Sequence, residues 1–473
     1  MGVGTASASE PVTELMTLAA VRAGQDAGSP ALLAAVDRIA VPQGTWSLTD
    51  PARTLATRIG ARGARTYRYE IGVSQQEIIN DALGSIGRGE ADVVLVVGGE
   101  ARAWARRGET EPDPETQPPD VTHTRPADFV APIEIEAGIV VPPVQQYALI
   151  ENALAAHEGL AAPAHRDEVA RLWARFNQVA QSNPDAAFPT PRSATDIATP
   201  GPKNRPLAYP YNVRHASQWT VDQAAALLFC SSERAEEDGI PRDRWIFPHV
   251  ALHVSEAVTL TARRRLHAWP AMVSLGRTAA AHLGRPLAEV AVAEVYSCFP
   301  AAVRVQQRAL GLDLEGTPTV TGGMAFAGGP FNNFVLGAVA AVVPLLRQDP
   351  AESALVTTVS GMLSKPGLAV WSNTPPEGRP PLIADMAGGD AAGSEIVPVT
   401  TTDRSHGPAT VVSFTVTYDT SDPPQPVRTV IVADLADGCR TAATCEDAAI
   451  ARAALTEGLI GQTVHVEHTT FSP

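Results

Sequence analysis

The sequence predicts an α/β protein with an irregular insertion and a small C-terminal β-barrel, and three observations carry that expectation. The first is "ADVVLVVGGE", whose unbroken apolar run from Val93 to Val97 is the pattern of a parallel strand covered on both faces. The second is the alternation of helical and strand-like spacing through the first hundred residues, which returns over about 245–375. The third is the switch to period-two alternation in the last 75 residues ("TVVSFTVTY", "VRTVIVADL", "TVHVEHTT"). A chain of 473 residues has the length for two or three domains and a large core.

Taken in order, Val12 to Ala27 has helical apolar spacing and Asp37 to Val41 reads as a short strand. Leu55 to Gly60 is a helical piece, Thr66 to Ile71 is extended, and Gln75 to Gly87 is a helix. From Arg107 to Thr124 the chain turns Glu/Pro/Thr-rich, which predicts a flexible excursion. Helical patterns follow at Gln145 to Glu158 and Arg166 to Gln181, and the stretch to Arg214 reads as irregular. "GRPLAEVAVAEVY" echoes "GRGEADVVLVVGG", a hint of duplication. After Trp371, "NTPPEGRPPLIADMAGGDAAG" reads as a Pro/Gly-rich junction, and Ala448 to Leu455 as one helix within the tail. The expected organisation is an N-terminal half over 1–106 and 215–244, an inserted subdomain over 107–214, a C-terminal half over 245–375, a linker over 376–397 and a barrel over 398–473.

Charge and composition exclude several functions. A net charge of −15 is wrong for a nucleic-acid footprint, although it leaves room for a local basic pocket that takes a CoA phosphate. No run of about 18 apolar residues and no secretory leader is read, so no membrane span is expected. Four cysteines (Cys230, Cys298, Cys439 and Cys445) do not make a disulfide framework, which predicts a reducing, cytoplasmic setting. Cys439 and Cys445 read as free buried thiols. Neither Cys-x-x-Cys nor His-Glu-x-x-His occurs, so no metal site is expected. Lys203 and Lys365 are the only lysines, which narrows any Schiff-base chemistry to those two.

Four motifs carry polar groups or glycines at element boundaries. "YEIGVSQQEIIND" breaks at Gly72 before a helix, with Ser74 in the N-cap position. A helix N-terminus favours a thiolate or an oxyanion, yet glycine supplies no nucleophile. Tyr296-Ser297-Cys298-Phe299-Pro300 places a phenol, a hydroxyl and a thiol between a strand-like run ending at Val295 and a helix resuming at Ala301. That corner is either a site or inert packing. "TVTGGMAFAGGPFNNF" sets Gly322-Gly323 and Gly328-Gly329-Pro330 before an apolar helix opening at Phe331, which fits a ligand cradle or ordinary turns. "VTTVSGMLSKPGLAVWS", with Ser360, Gly361 and Lys365, reads by itself as a solvent-exposed hairpin.

In this order, the four motifs resemble those of the thiolase superfamily over roughly residues 1–375. Gly72 falls at the Cys-x-Ser nucleophile motif, and Tyr296-Ser297-Cys298-Phe299 at the His-Asp-Cys-Phe motif of the sterol-carrier-protein type. Gly328-Gly329-Pro330 falls at Gly-His-Pro, and Ser360-Gly361 at the late Cys-x-Gly. The resemblance implies a duplicated five-layer α-β-α-β-α fold. The tail makes the chain similar to thiolase-like proteins of type 1, often labelled acetyl-CoA acetyltransferases, and resembles the OB-fold partners of some thiolase-like enzymes.

The family's acyltransferase reaction on acyl-CoA uses a nucleophilic cysteine, an activating histidine and a second cysteine that moves protons. Here glycine stands at 72 and 329, and Tyr296-Ser297 replaces His-Asp, so the resemblance implies that thiolase chemistry is absent. It leaves Cys298 at the acid/base position, Tyr296 beside it, and Gly72, Ser74, Ser297, Gly329 and Ser360 around a pocket. Phe299, Gly328, Pro330 and Asn332 are the implied substrate contacts. The expected role is binding of CoA or an acyl-CoA in lipid or steroid metabolism, with no other cofactor. Two alternatives stand: an acyltransferase or retro-aldol enzyme on CoA thioesters using Tyr296 or Cys298, and a scaffold that docks a partner through the barrel. Either a homodimer or a monomer is expected. The start "MGVGTASASEP" reads as the exit of a first strand whose body is missing, so that strand is expected to be absent or unpaired.

Overall fold

The computed structural model describes residues 1–124, 129–349, 353–386 and 396–473. The first half supplies β1 (Gly2–Ser7), β2 (Arg38–Pro42), β3 (Arg65–Tyr69), β4 (Val93–Ala101) and β5 (Val121–His123). The hairpin strands β6 (Pro206–Ala208) and β7 (Tyr211–Asn212) follow, then β8 (Asp222–Cys230). The first sheet has the order β1-β8-β4-β2-β3-β5. All nine residues of β4 are buried, as an apolar strand covered on both faces requires.

Strand β1 is present and paired, contrary to expectation: its six residues run antiparallel to β8 from Gly2 opposite Leu228 to Ser7 opposite Gln223. Its glycines let it lie close on the first helix, Val12–Asp26, where a Cβ on Gly4 would stand 2.2 Å from the Ala19 carbonyl oxygen. The same helix blunts the strand's outer edge. Asp26 accepts from the Val3 N–H at 2.9 Å and Arg22 donates to the Thr5 carbonyl at 2.6 Å, which closes that edge to further pairing.

The second sheet, β10-β11-β12-β9-β13, uses β9 (Phe247–His253), β10 (Val292–Glu294), β11 (Ser353–Ser360), β12 (Lys365–Ser372) and β13 (Leu382–Asp385). Its order and directions repeat the first. β10 is parallel to β11, β11 antiparallel to β12 and β12 antiparallel to β9, as β2 is to β4, β4 to β8 and β8 to β1. Duplication is therefore real, but the textual echo pairs the wrong strands: β10 corresponds to β2, and the counterpart of β4 is β11.

Helices Gln75–Gly87 and Phe334–Gln348 lie between the two sheets and touch both. Val12–Asp26 and Pro51–Ile59 cover the first sheet, and Pro270–Leu283 with Pro300–Leu310 lie outside the second, completing the five layers. Three of these helices begin with proline, whose missing N–H costs nothing in a first turn. The segment from Phe331 to Gln348 is long and apolar enough to cross a membrane by composition, yet it contains the mostly buried central helix of this core.

Two expectations about exposure are corrected. The β11–β12 pair is no solvent-exposed hairpin, because it is the middle of the second sheet and Lys365 to Ser372 are all buried. Cys439 and Cys445 are free, as expected, but only partly buried. In the stretch 376–397, read as a linker, Leu382–Asp385 is a strand parallel to β9, while 387–395 lie outside the described residues.

The tail closes a five-stranded barrel from β14 (His406–Tyr418), β15 (Pro426–Leu435), β16 (Arg440–Cys445), β17 (Thr463–Glu467) and β18 (Thr470–Ser472). The circuit runs β14-β15-β16-β18-β17 and back to β14, with register shifts in β14 that bend it to serve both neighbours. The barrel carries its own apolar cluster, including Val411, Ile431, Ala443 and Val466, with Ala451 from the helix Ala448–Glu457. It is also joined to the inserted region, because β6 pairs with β14 and the Tyr209 N–H donates to the Val416 carbonyl at 2.9 Å.

Candidate functional site

The four motifs converge where the two central helices begin. Gln75, in the first turn after Ser74, accepts the Val335 N–H at 2.8 Å, so one helix's side chain satisfies an open N–H of the other. The Gly72 corner and the loop 328–333 are thereby held side by side.

Gly72 has φ +106°, a conformation that only glycine takes without strain. Its carbonyl accepts from Lys365 Nζ at 2.5 Å and from Ser360 Oγ at 3.5 Å. Lys365 is 1% exposed and its ammonium lies 5.8 Å from the centre of the Phe129 ring. Ser74 holds the N-cap position, but its hydroxyl makes no capping bond and is buried without a partner.

The opposite wall is the stretch from Tyr296 to Pro300. Its backbone is fixed by a buried polar bracket in which the Tyr296 N–H donates to Thr357 Oγ1 at 2.9 Å and Gln306 Nε2 donates to the Tyr296 carbonyl at 2.9 Å. Thr357 in turn donates to Gln306 Oε1 at 2.6 Å. Ser297 is fully buried, and its Oγ accepts the Met324 N–H at 3.1 Å. The Tyr296 ring meets Phe334 edge-on, and the Phe299 ring lies between Tyr147 and Tyr211 at centroid distances of 4.6 and 5.7 Å.

Burial pushes the Cys298 thiol up to about 12, more than the Tyr147 hydroxyl and nearby backbone N–H groups can offset. Burial, with the neighbouring Cys298, likewise pushes the Tyr296 phenol well above its ordinary value. Both groups are neutral hydrogen-bonding groups at physiological pH, and neither is an anion.

The third wall is the glycine loop. Gly329 donates its N–H to the Gln218 carbonyl at 2.9 Å, and the Ser217 N–H donates to the Cys298 carbonyl at 2.9 Å. A Cβ built on Gly329 would stand 2.0 Å from Ser217 Oγ, so a side chain at 329 requires that hydroxyl to turn away. A Cβ on Gly328 would meet Gln223 Oε1 at 2.4 Å. Asn332 is turned aside and donates to the Gln43 carbonyl at 3.3 Å. A cavity of about 550 Å³ borders Gly328 and Pro330 between β1 and the helix Phe334–Gln348, but it touches none of Gly72, Tyr296, Cys298 or Ser360.

Three residues enter this corner unannounced by any motif. Tyr147 donates to the Gly361 carbonyl at 3.2 Å and reaches the Cys298 thiol. Arg263, 5% exposed, donates to the Met362 carbonyl at 2.6 Å. Ser217 lies against Gly329. Their sequence signals are a core-like helical pattern for Tyr147 and none for the other two, because only the tertiary fold brings them in. Among the described residues no group of three or more His, Cys, Asp or Glu side chains is arranged to hold a metal ion.

No family model and no curated protein matches the chain. Solved structures do. A monomeric SCP2-thiolase-like protein type 1 from Mycobacterium smegmatis is similar over 100% of this chain and 97% of its own, at 28% identity and a TM-score of 0.83. The Ltp2–ChsH2(DUF35) aldolase covers 79% of this chain and 97% of its own at 18% identity and a TM-score of 0.59. Human mitochondrial 3-ketoacyl-CoA thiolase in complex with CoA covers 78% and 96% at 17% identity and a TM-score of 0.54. The last two speak for the fold alone. The chain has the thiolase fold with an added barrel, and along its full length it is similar to the SCP2-thiolase-like protein type 1.

Proposed function

We propose, for a chain built on the thiolase fold, that it binds CoA thioesters at the Tyr296–Cys298 corner without performing thiolase chemistry. The carrying observation is Gly72: no nucleophile is present there, φ is +106°, and the carbonyl is engaged by Lys365 and Ser360. A covalent acyl carrier needs a thiolate at that corner. The one thiol nearby, Cys298, is buried and held neutral.

The ligand class rests on likeness, since a solved neighbour of the same fold is a thiolase in complex with CoA. We read the setting as lipid metabolism in a reducing cytoplasm, in keeping with four free thiols. We favour a monomer. The edge of β3 is covered by β5 of the same chain, and the full-length neighbour is described as monomeric.

The alternatives gain less support. A tyrosine acting as base needs a lowered pKa, and burial moves Tyr296 the other way. A scaffold docking through the barrel calls for an uncovered apolar patch, and Ile460 is the single large exposed hydrophobic among the described barrel residues. The test is calorimetric titration of the full chain with CoA and acetyl-CoA beside a thiolysis assay with acetoacetyl-CoA and CoA. Binding without turnover is expected, and robust thiolysis would overturn the reading.

A further inference from the structure

Position 329 lies close against a polar side chain. Its missing Cβ points at the Ser217 hydroxyl, 2.0 Å away, with Met324 Cε at 3.3 Å. The neighbour is therefore a polar group, placed where a side chain at 329 would begin. Three backbone bonds fix it there: Ser217 N–H to the Cys298 carbonyl at 2.9 Å, Gln218 N–H to the Met324 carbonyl at 3.0 Å, and Gly329 N–H to the Gln218 carbonyl at 2.9 Å. Segment 217–218 is thus laced between the thiol corner and the glycine loop.

Several polar groups of the corner are already engaged with protein atoms, and the unpartnered Ser74 hydroxyl is fully buried. Tyr147 gives its proton to the Gly361 carbonyl, Lys365 and Ser360 point at the Gly72 carbonyl, and Ser297 Oγ accepts the Met324 N–H. Ser217 differs. It is only partly buried, and its hydroxyl has no hydrogen-bond partner among the described residues. A hydroxyl carries one proton to give and has lone pairs to accept. With its backbone held on the Cys298 carbonyl, it suits an uncharged oxygen acceptor such as a carbonyl.

We propose that Ser217 is the residue that meets the thioester carbonyl of the ligand, its hydroxyl standing in the space that a side chain at position 329 would otherwise fill. This rests on the CoA-thioester reading above and adds a residue that no motif supplied. No bond is made or broken. The serine donates one hydrogen bond to the carbonyl oxygen, which acetyl-CoA has and CoA lacks.

The test compares the affinities of the full chain for acetyl-CoA and for CoA. The wild type is expected to favour acetyl-CoA, and Ser217→Ala to lower the acetyl-CoA to CoA affinity ratio about tenfold, as loss of one hydrogen bond to a bound ligand does. A second arm reads packing through thermal unfolding. Gly329→Ala is expected to lower the Tm, and adding Ser217→Gly to Gly329→Ala to recover most of the loss. An unchanged ratio in Ser217→Ala overturns the inference while leaving the proposed function standing. If neither probe binds the wild type, the proposed function fails and this assignment fails with it.

Discussion

The Tyr211 hydroxyl donates to Glu151 Oε2 at 2.5 Å, and its own oxygen accepts the Ala301 N–H at 3.1 Å in the first turn of the helix that follows Cys298. Tyr211 lies on β7, whose partner β6 pairs with barrel strand β14. Glu151 lies on the helix Val144–His157, which also carries Tyr147. One phenol therefore ties the barrel-bound hairpin, the inserted helix and the thiol corner together. This makes the fused barrel part of the scaffold that sets the corner.

Tyr211→Phe removes that link and leaves the Ala301 N–H and one face of Glu151 without their partner. A loss of about 1–3 kcal/mol in unfolding free energy is expected from denaturant titration. Alkylation of Cys298, mapped by mass spectrometry, should become faster as the first turn loosens. A stability loss with no change at Cys298 would show that the phenol supports the fold but does not order the corner.

Acid should destabilise the protein through Glu151. Burial alone would raise its pKa, but Arg304 at 2.6 Å, His165 at 3.0 Å and Tyr211 outweigh burial and hold it at about 2. Below the ordinary carboxylate pKa the unfolded chain binds a proton that the folded one does not. The stability from this group is therefore fully present above about pH 4.5 and lost as pH falls towards 2. Glu151→Gln removes one of three carboxylates around Arg304, with Glu158 and Glu168 each remaining at 2.8 Å, and should cost about 1–3 kcal/mol at neutral pH. It should also flatten the acid limb of a Tm-against-pH curve. An acid limb unchanged in the variant would assign the loss to other carboxylates.

Cys298 should behave as an inert thiol in the folded protein. With its pKa pushed up to about 12 and 8% exposure, its alkylation by iodoacetamide at pH 8 should be at least about a hundredfold slower than that of an ordinary thiol. The rate should climb with pH well beyond the range where a free cysteine levels off. Rapid, pH-independent labelling at neutral pH would instead indicate a thiolate.

Asn152 should matter as much as the barrel's own core. Its amide donates to the Tyr209 carbonyl at 3.0 Å and to the Phe414 carbonyl at 2.8 Å, while Ser413 Oγ donates to the Leu149 carbonyl at 2.6 Å. Asn152→Ala removes a donor from both carbonyls, although that of Tyr209 still accepts from Thr415 Oγ1 at 2.8 Å, and should cost about 1–2 kcal/mol. If the barrel were an independent module, the variant would unfold in two separate steps; a single, earlier transition is expected.

Gly72→Ala tests the backbone at the first motif. A non-glycine residue at φ +106° is strained, and a cost of about 1–2 kcal/mol in denaturant unfolding is expected. A neutral effect would mean that the corner relaxes freely.

The sequence by itself determined the local elements and their order. Helical spacing placed Gln75–Gly87, an unbroken apolar run placed the strand from Val93, and period-two alternation placed the barrel strands, because those patterns follow directly from which faces must be buried. The order of the four motifs, through their resemblance to thiolase motifs, marked Gly72, Tyr296–Cys298, Gly329 and Ser360 as one corner. Only the tertiary structure decided what surrounds them. The β11–β12 pair read as a surface hairpin, because its position in a sheet depends on strands more than a hundred residues away in β9 and about sixty away in β10. Tyr147 and Ser217 reach the corner through contacts more than eighty residues distant, which no local pattern records. The stretch at Gly2–Ser7 read as the exit of a strand whose body is missing, and pairing with β8 makes it a strand in its own right. Local periodicity says which side of an element is buried; what it is buried against is settled only when the chain closes on itself.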